Sequence, residues 1–325
     1  MARSYLDHLR SDFLMDDFTK DRLHRNGTRG RVKVMTYDLF IGDRTFSSWS
    51  LRGWLLFEKF DIPFKTTMVG LYSGTMAQDL APYAPARLVP TIQTPQGDPL
   101  QDTLAIAETL AEHHPEAGIW PADPSARVLA RWVAAEMHSG FGALRSECPM
   151  NLGTGYNDFA VSDGVKADLE RIETLWATAR AKFGGTSPWL FGKYSAADAF
   201  YAPVAARIAG YGLPVSDAAQ AYVAAHLSDP AFRRWRAMGL TKSYDFEPYP
   251  MDAEKAPWPG PAPLPAQAVD SGKNAENTLC PYSKKEMTHF LQVDGRVFGF
   301  CNAFCRDKTV NDPLAWSAFA EIYQS

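Results

Sequence analysis

The apolar and polar positions between residues 36 and 115 change period several times, and each change predicts a new element. Short apolar runs bounded by turn residues indicate strands, whereas apolar residues three and four positions apart indicate helices. The predicted elements are strand 36–41, helix 49–60, strand 64–69, helix 74–80, strand 90–94, strand 99–101 and helix 103–113. A β-α-β unit followed by β-β-α predicts an α+β domain over residues 35–115.

Residues 124–245 carry helical periodicity instead. The predicted helices are 126–144, 163–183, 196–210, 218–227 and 231–238. Ser195 and Asp198 fit a capping box at the start of the third of these helices, because each side chain can accept the other residue's backbone N–H. The pattern predicts an all-α bundle as the second domain.

The remaining segments differ from these two domains in composition. Seven prolines crowd residues 246–265, which predicts an extended linker or a surface strap over 246–278. Residues 279–325 are expected to form a small module with a hairpin turn at Asp294-Gly295. Residues 1–34 are polar and weakly periodic, so we expect either a flexible extension or a native start at Met35.

Composition narrows the classes of function. With 46% hydrophobic and 22% charged residues, the 325-residue chain resembles ordinary globular proteins. A net charge of −4 gives no reason to expect nucleic acid or an anionic membrane as a partner. No apolar run approaches the roughly 20 residues that span a bilayer, and no secretory signal is apparent. Four cysteines, three of them near the end, do not suggest a disulfide framework, so a cytoplasmic protein is expected.

Two predicted helix N-termini converge with one proline in the first domain. Ser47 and Ser48 precede one helix, and Asp102-Thr103 heads another. Pro90 lies between apolar strand residues, which places it at a strand start or edge and makes it a candidate for a cis bond. Because helix N-termini bind anions and lower thiol pKa values, this region suits a small acidic thiol.

These residues resemble landmarks of the glutathione transferase family between residues 37 and 240. The landmarks are Ser47-Ser48-Trp49-Ser50, Val89-Pro90, Asp102-Thr103-Leu104-Ala105-Ile106 and Phe191-Gly192-Lys193-Tyr194-Ser195-Ala196-Ala197-Asp198. The resemblance implies a thioredoxin-like N-terminal domain followed by a helical bundle. The run from Ser47 to Arg52 is similar to the zeta-class motif Ser-Ser-Cys-Ser-Trp-Arg, with Trp49 in place of the cysteine.

The resemblance implies roles for these residues. Ser47, or else Ser48, would activate the thiol of glutathione through a charge-assisted hydrogen bond. The implied glutathione-binding residues are Trp49, Arg87, Val89, Pro90, Asp102 and Thr103. Some of these residues have a plainer reading. The two serines and the Asp102-Thr103 pair can simply cap helices, and Val89 can be an ordinary strand residue before an edge proline.

A pocket for a second substrate is predicted on the first helix of the bundle. Met137, His138, Phe141 and Arg145 lie on one side of that helix, which is expected to face the thioredoxin-like domain. His138 has an alternative reading as a core histidine with a satisfied hydrogen bond.

The last segment contains three cysteines, Cys280, Cys301 and Cys305, around a predicted hairpin and helix. It resembles a degraded treble-clef zinc module of the YHS or TRASH type, with Ser283 where a second knuckle cysteine would stand. Structural zinc sites have four ligands, and His289 is a candidate for the fourth. The alternatives are a metal-free vestige that aromatic packing holds together, or a redox thiol pair.

The sequence leaves three hypotheses for function. The first is a glutathione transferase, expected to be a homodimer, that attacks a small electrophile with the glutathione thiolate or reduces a substrate with glutathione. The second is a non-catalytic scaffold whose cysteine module binds zinc or a protein partner. The third is a glutathione-dependent isomerase similar to maleylacetoacetate isomerase, which Trp49 at the cysteine position speaks against.

Overall fold

The structure is a computed structural model that describes residues 36–244 and 246–325. The extension predicted over residues 1–34 lies outside the described residues. An α+β domain, a helical domain and a small C-terminal module follow one another along the chain. Within the described ranges, no helix combines the length and the apolar character that crossing a bilayer requires.

A four-stranded mixed sheet organises the first domain. Its elements are β1 (Tyr37–Ile41), α1 (Ser48–Glu58), β2 (Phe64–Met68), α2 (Met76–Leu80), a 3-10 turn (Ala81–Tyr83), β3 (Thr91–Gln93), β4 (Pro99–Gln101) and α3 (Thr103–His113). The sheet order is β2-β1-β3-β4, in which only the β1–β2 pair is parallel. The predicted elements are confirmed to within about two residues, and their order is the thioredoxin-like one.

The core of this domain lies between the sheet and the helices α1 and α3. Leu39 and Ile92 from neighbouring strands, Leu55 from α1 and Ile106 from α3 are fully or almost fully buried. Burying one such side chain contributes about 1.5–3 kcal/mol, so this layer fixes the two helices against the sheet. The N-termini of α1 and α3 are thereby held in place.

The second domain is helical. Its elements are a 3-10 turn (Pro115–Ala117), α4 (Pro124–Ser139), α5 (Gly142–Glu147), α6 (Asp163–Ala179), a π-helical turn (Arg180–Gly184), α7 (Ala196–Gly210), α8 (Asp217–Ser228) and α9 (Pro230–Gly239). The bundle predicted from the periodicity is present. The predicted helix 163–183 ends earlier, because its last turn widens into the π-helical turn.

The predicted helix 126–144 is wrong in one respect, since the chain breaks it into α4 and α5. Phe141 adopts a left-handed backbone with φ of 59°, and Gly140 precedes it in an extended conformation. A Cβ at Gly140 would lie 2.8 Å from the carbonyl oxygen of Glu136, so only glycine fits this turn. The break turns α5 towards the first domain.

The helix α7 forms the centre of the bundle and is buried along almost its whole length. Its capping box is confirmed: Asp198 Oδ2 accepts hydrogen bonds from the amide and the hydroxyl of Ser195. Asp198 Oδ1 accepts from the Leu190 amide and from the Tyr222 hydroxyl. The carboxylate therefore ties the start of α7 to the preceding loop and to α8.

The proline-rich segment is a strap that lies on the protein. Strand β6 (Glu254–Ala256) pairs antiparallel with β5 (Gly155–Asn157) of the helical domain. Strand β7 (Ala266–Val269) pairs with β8 (His289–Val293), so the C-terminal module already begins there. The boundary predicted at residue 279 lies after this strand, whose four residues give little periodic signal.

The C-terminal module is a three-stranded antiparallel sheet packed against two helices. Its further elements are β9 (Arg296–Phe300), α10 (Ala303–Asn311), a 3-10 turn (Pro313–Ala315) and α11 (Ser317–Gln324). Asp294 and Gly295 have positive φ angles and form the predicted hairpin turn. The module docks on α9 through a two-pronged ion pair between Arg233 and Asp312, with N–O distances of 2.8 and 2.6 Å.

Candidate functional site

A cavity of about 670 Å³ opens between the first domain and the helical domain. The first domain supplies Ser47, Ser48, Val89, Asp102 and Thr103 to its wall, and all five were predicted from the sequence. These residues lie far apart along the chain, and the sheet brings them together. Clefts of this size between domains are where small molecules usually bind.

The N-terminus of α1 presents two serines to the cavity. Ser47 is the N-cap: its Oγ accepts the Ser50 amide at 3.3 Å and donates to the Ser50 hydroxyl at 2.9 Å. Ser48 is the first helical residue and is half-buried, and its hydroxyl has no hydrogen-bond partner within the described residues. The single hydroxyl proton of Ser47 is therefore engaged inside the loop, whereas that of Ser48 is available to a ligand.

Asp43 holds the loop that leads into this helix. Its Oδ1 accepts the amides of Thr45 and Phe46 at 2.8 and 3.0 Å. Its Oδ2 accepts hydrogen bonds from Lys242 Nζ at 3.2 Å and from the Tyr244 hydroxyl. The sequence analysis missed this residue, although Asp followed by a short loop is a common turn signal.

The Val89–Pro90 bond is cis, as expected. Within the described residues, neither the amide nor the carbonyl of Val89 takes part in a hydrogen bond. The side-chain oxygen of Gln101 accepts the amides of Arg87 and Leu88 at 2.7 and 2.8 Å and braces the loop before Val89. A peptide could thus pair with Val89 as a short extra strand.

The N-terminus of α3 presents Asp102 and Thr103. Asp102 has φ of 88° and caps α3, since its Oδ1 accepts the amides of Leu104 and Ala105 at 2.8 and 3.3 Å. Its second oxygen, Oδ2, lies 3.1 Å from His138 Nε2. The Thr103 hydroxyl lies 3.5 Å from His138 Nδ1. A histidine of the helical domain therefore bridges both residues.

His138 is a neutral group at physiological pH in this setting. Burial lowers its pKa, and the positive charges of Arg52 and Arg145 lower it further, against the opposing effect of Asp102. A neutral ring that carries its proton on Nε2 donates to Asp102. This contact agrees with the alternative prediction that His138 is a histidine with a satisfied hydrogen bond. His138 also lines the cavity.

Three predicted site residues do not line the cavity. Met137 is fully buried in the bundle core, and Phe141, at the break after α4, is almost fully buried. Arg87 is exposed on the outside of the loop. The expected role of Met137 and Phe141 as pocket residues, and of Arg87 as a cavity ligand, is not supported.

Trp49 lies half-buried in the cavity wall between two guanidinium groups. Arg52 Cζ is 4.7 Å from its ring centroid and Arg145 Cζ is 4.5 Å away. The ring of His138 meets it edge-on at 5.2 Å. Cation–π contacts of this kind hold a tryptophan in one orientation.

An aromatic rim closes the other side of the cavity. Phe46, Tyr72 and Tyr249 line it, with the Tyr72 and Tyr249 hydroxyls 3.4 Å apart. Tyr249 belongs to the proline-rich strap, which follows the helical domain in sequence. The sequence analysis missed it, because no local pattern links this residue to the cavity.

The three C-terminal cysteines lie together, as predicted. Their sulfur atoms are all within 4.8 Å of one another, and Cys301 Sγ is 3.9 Å from Cys305 Sγ. A hydrogen bond from Cys305, with others from Ser283, lowers the pKa of Cys280 to about 4 despite burial, while that of Cys305 is raised. Ser283, which stands where a second knuckle cysteine would be expected, thus donates hydrogen bonds to Cys280.

His289 does not join this cluster. Its ligand atoms are outside the group formed by the three sulfurs, and its Nδ1 lies 2.9 Å from the Thr288 hydroxyl. The expectation that His289 is a fourth ligand is therefore wrong. It is the first residue of β8.

Comparison with known proteins finds a family match over part of the chain. The sequence model of the glutathione S-transferase N-terminal domain matches residues 46–113. A probable maleylacetoacetate isomerase of Caenorhabditis elegans is 34% identical over 103 residues, which are 32% of this chain and 47% of the relative. The chain thus spans about half the length of this curated relative.

The solved structures that the chain resembles include two transferases. A glutathione transferase homologue of Burkholderia GL BGR1 with bound glutathione is 24% identical and aligns over 64% of this chain and 100% of its own, with a TM-score of 0.48. Glutathione transferase Omega 1C of Trametes versicolor is 18% identical over 62% of this chain and 91% of its own, with a TM-score of 0.49. Residues 46–113, which supply both helix N-termini of the cavity, are similar to the N-terminal domain of glutathione S-transferases.

Proposed function

We propose that the protein is a glutathione transferase that uses this cavity. The observation that carries the proposal is the convergence of three groups in one cleft. They are an available serine hydroxyl, the amide and carbonyl of Val89, which have no hydrogen-bond partner within the described residues, and a second helix N-terminus at Thr103. These groups match the thiol, the cysteinyl peptide and the γ-glutamyl carboxylate of glutathione in turn. The family match over residues 46–113 supports the same ligand.

In the proposed complex each part of glutathione has a partner. The amide and carbonyl of Val89 pair with the cysteinyl backbone. The γ-glutamyl carboxylate meets the amide and hydroxyl of Thr103, and its ammonium group meets Asp102, whose Oδ2 is held by His138. The sulfur then lies at the N-terminus of α1.

We propose Ser48 as the donor to the sulfur, ahead of Ser47. The Ser47 proton is bound to Ser50 Oγ, whereas the Ser48 hydroxyl is available. A hydroxyl donor and the dipole of α1 together favour the thiolate over the thiol. Each unit by which the thiol pKa falls corresponds to about 1.4 kcal/mol of stabilisation of the thiolate.

The first experiment is retention on immobilised glutathione, combined with conjugation of 1-chloro-2,4-dinitrobenzene. The glutathione thiol first loses its proton to solvent. The sulfur of the thiolate then forms a bond to the ring carbon that carries chlorine, and the carbon–chlorine bond breaks as chloride leaves with its electron pair. We expect both retention and turnover. Failure of both would contradict the proposal, and retention without turnover would favour the scaffold hypothesis.

Isomerisation is the second candidate reaction. The 34% identity with a probable maleylacetoacetate isomerase favours it over that segment, whereas Trp49 stands at the cysteine position of the zeta-class motif. An assay with maleylacetoacetate analogues distinguishes the two. Geometric isomerisation without net loss of glutathione would identify the isomerase, and a stable conjugate would identify the transferase.

We further propose a cytoplasmic homodimer, as the family resemblance implies. Val128 and Trp132 are large apolar residues exposed on α4, at 70% and 56%. A dimer would cover them and remove apolar area from water. Light scattering should give twice the chain mass for the wild type, and the mass of one chain for Trp132→Glu if this face is the interface.

We also propose that Cys280, Cys301 and Cys305 bind zinc as thiolates. Three thiolates and one Zn²⁺ carry a net charge of −1. The ammonium group of Lys308 is buried in the same module, 4.2 Å from the ring of Tyr282 and 4.3 Å from the ring of Trp316. An opposite charge nearby reduces the cost of burying the complex. The fourth position is left for an external ligand.

Metal analysis of purified protein tests this site. We expect about one zinc per chain, with loss in Cys301→Ser and retention in Cys148→Ala, which removes a buried cysteine of the helical domain. Equal zinc in both variants, or none in the wild type reconstituted with zinc, would contradict the site.

A further inference from the structure

Three arginines without a carboxylate partner among the described residues lie in or behind the cavity wall. Arg145 and Arg207 of the helical domain line the cavity, and Arg52 of α1 lies behind it against the Trp49 ring. Within the described residues, none of these three guanidinium groups forms an ion pair. They come from α1, α5 and α7, so only the fold brings them together.

Arg145 and Arg207 donate hydrogen bonds to backbone carbonyls, which do not neutralise their positive charge. Arg145 Nη1 donates to carbonyl oxygens at the end of α4, the shortest at 3.0 Å to His138, and Arg207 Nε donates to the Cys148 carbonyl at 2.8 Å. Arg52 is 1% exposed, and its Nε and Nη1 have no hydrogen-bond partner within the described residues. Carbonyl dipoles leave the net charge uncancelled.

Repulsion between these like charges lowers the pKa of Arg52 and of Arg207. Burial lowers the pKa of Arg52 well below its ordinary value, and Arg145 and Arg207 lower it further. Burial likewise lowers the pKa of Arg207 to about 10, with Arg145 contributing in the same direction. An uncompensated cluster of like charges is costly in a folded protein, and a bound anion would relieve that cost.

The proposed glutathione contacts do not use Arg145 or Arg207. Val89, Asp102 and Thr103 belong to the first domain, while Arg145 and Arg207 belong to the helical domain on the opposite side of the cleft. The space between them and the aromatic rim of Phe46, Tyr72 and Tyr249 is where the second substrate would lie. That space is apolar at one end and cationic at the other.

We infer that Arg145 and Arg207 form an anion subsite for the second substrate, so that the preferred electrophile carries a carboxylate next to an apolar or aromatic body. The inference rests on the proposed transferase function. The carboxylate accepts hydrogen bonds from the guanidinium groups, and the body of the substrate packs against the aromatic rim. The electrophilic carbon is then held towards the sulfur near Ser48.

A matched pair of substrates tests the subsite by turnover. In 4-chloro-3-nitrobenzoate and 4-chloro-3-nitrobenzamide the thiolate displaces the same chloride, and only the first is an anion. The kcat/KM for each substrate is divided by the rate constant of that substrate's uncatalysed reaction with glutathione, which corrects for the difference in intrinsic reactivity. On this scale we expect the wild type to prefer the benzoate by about 10-fold or more. Arg145→Gln should abolish this preference, and Arg145→Lys should restore part of it, while KM for glutathione stays within about 2-fold.

Control variants and a binding measurement separate the outcomes. Lys166→Gln removes an exposed positive charge on α6 and should leave the preference intact. Calorimetry compares S-(4-carboxybenzyl)glutathione with S-(4-carbamoylbenzyl)glutathione on wild-type protein and on Arg145→Gln, whose folding is checked by thermal melting. Tighter binding of the carboxylate by the wild type alone supports the subsite. Equal binding of both conjugates overturns the subsite and leaves the transferase proposal standing, whereas no binding of either conjugate or of glutathione overturns both.

Discussion

His138 Nε2 lies 3.1 Å from Asp102 Oδ2, so that a residue of the helical domain holds the carboxylate that heads α3. The other oxygen of Asp102 caps the helix through the amides of Leu104 and Ala105. One side chain therefore couples a helix N-terminus, the wall of the opposite domain and the proposed ammonium site of glutathione.

Asp102→Asn is expected to weaken glutathione binding without unfolding the protein. Asparagine still caps a helix and tolerates a positive φ, so the stability should change by less than about 1 kcal/mol. The negative charge that faces the ammonium group is lost, so KM for glutathione should rise about 10-fold while KM for the electrophile stays the same. Steady-state kinetics with each substrate varied in turn, together with thermal melting, measure both effects. A rise in the electrophile KM alone would contradict the assignment.

The two serines at the start of α1 should behave differently on substitution. Ser48→Ala removes the proposed donor to the sulfur, so kcat/KM should fall about 10- to 100-fold with little effect on stability. Ser47→Ala removes an N-cap and should cost about 1 kcal/mol of unfolding free energy. Kinetics and chemical denaturation of both variants provide the comparison. Reversed results would make Ser47 the activating residue.

Tyr249 tests whether the strap belongs to the electrophile pocket. Tyr249→Ala should raise KM for aromatic electrophiles several-fold, since it removes apolar area from the rim. Tyr249→Phe keeps the ring and should have little effect, and Phe246→Ala removes a strap residue that is 87% exposed and serves as the control. Substrate-saturation curves for the three variants decide the point. An equal response in Tyr249→Ala and Phe246→Ala would place the strap outside the pocket.

The sequence predicted the parts of the site that rest on local signals. Ser47 and Asp102 cap their helices, and capping depends on residues no more than three positions away. Pro90 was placed correctly because a proline cannot pair inside a sheet. Such features depend on residues that are close together in the sequence.

The remaining parts of the site depend on contacts between distant segments. Arg207 and Tyr249 reach the cavity from α7 and the strap, and no local pattern marks them. The break at Phe141 was missed because apolar periodicity continues across it. It decides that Met137 faces the core while Arg145 faces the cavity, which the spacing alone had placed on one side.

His226 should make the protein less stable in mild acid. Its ring is 1% exposed, packs against Tyr222 and Trp189, and burial lowers its pKa to about 3. Between its unfolded pKa of about 6.5 and the folded value, the unfolded chain binds a proton that the folded chain does not. Stability should therefore fall as the pH drops below about 6.5, by up to about 1.4 kcal/mol per pH unit from this residue.

His226→Phe is the matching variant, because phenylalanine fits an aromatic site and does not titrate. Denaturation curves between pH 7.5 and 4.5 should show a smaller loss of stability in this variant than in the wild type. His289→Gln, which removes a histidine of the C-terminal module, is the control and should follow the wild type. Identical pH dependence in wild type and His226→Phe would show that His226 is not held neutral.

The account depends most on the ionisation of glutathione at the N-terminus of α1. Thiolate absorbance at 240 nm, followed against pH with the protein saturated by glutathione, measures the thiol pKa of the bound peptide directly. We expect this pKa to lie at least about one unit below that of free glutathione, and to rise again by a similar amount in Ser48→Ala. An unshifted pKa in the wild type, or no saturable binding of glutathione at millimolar concentration, would contradict the central claim.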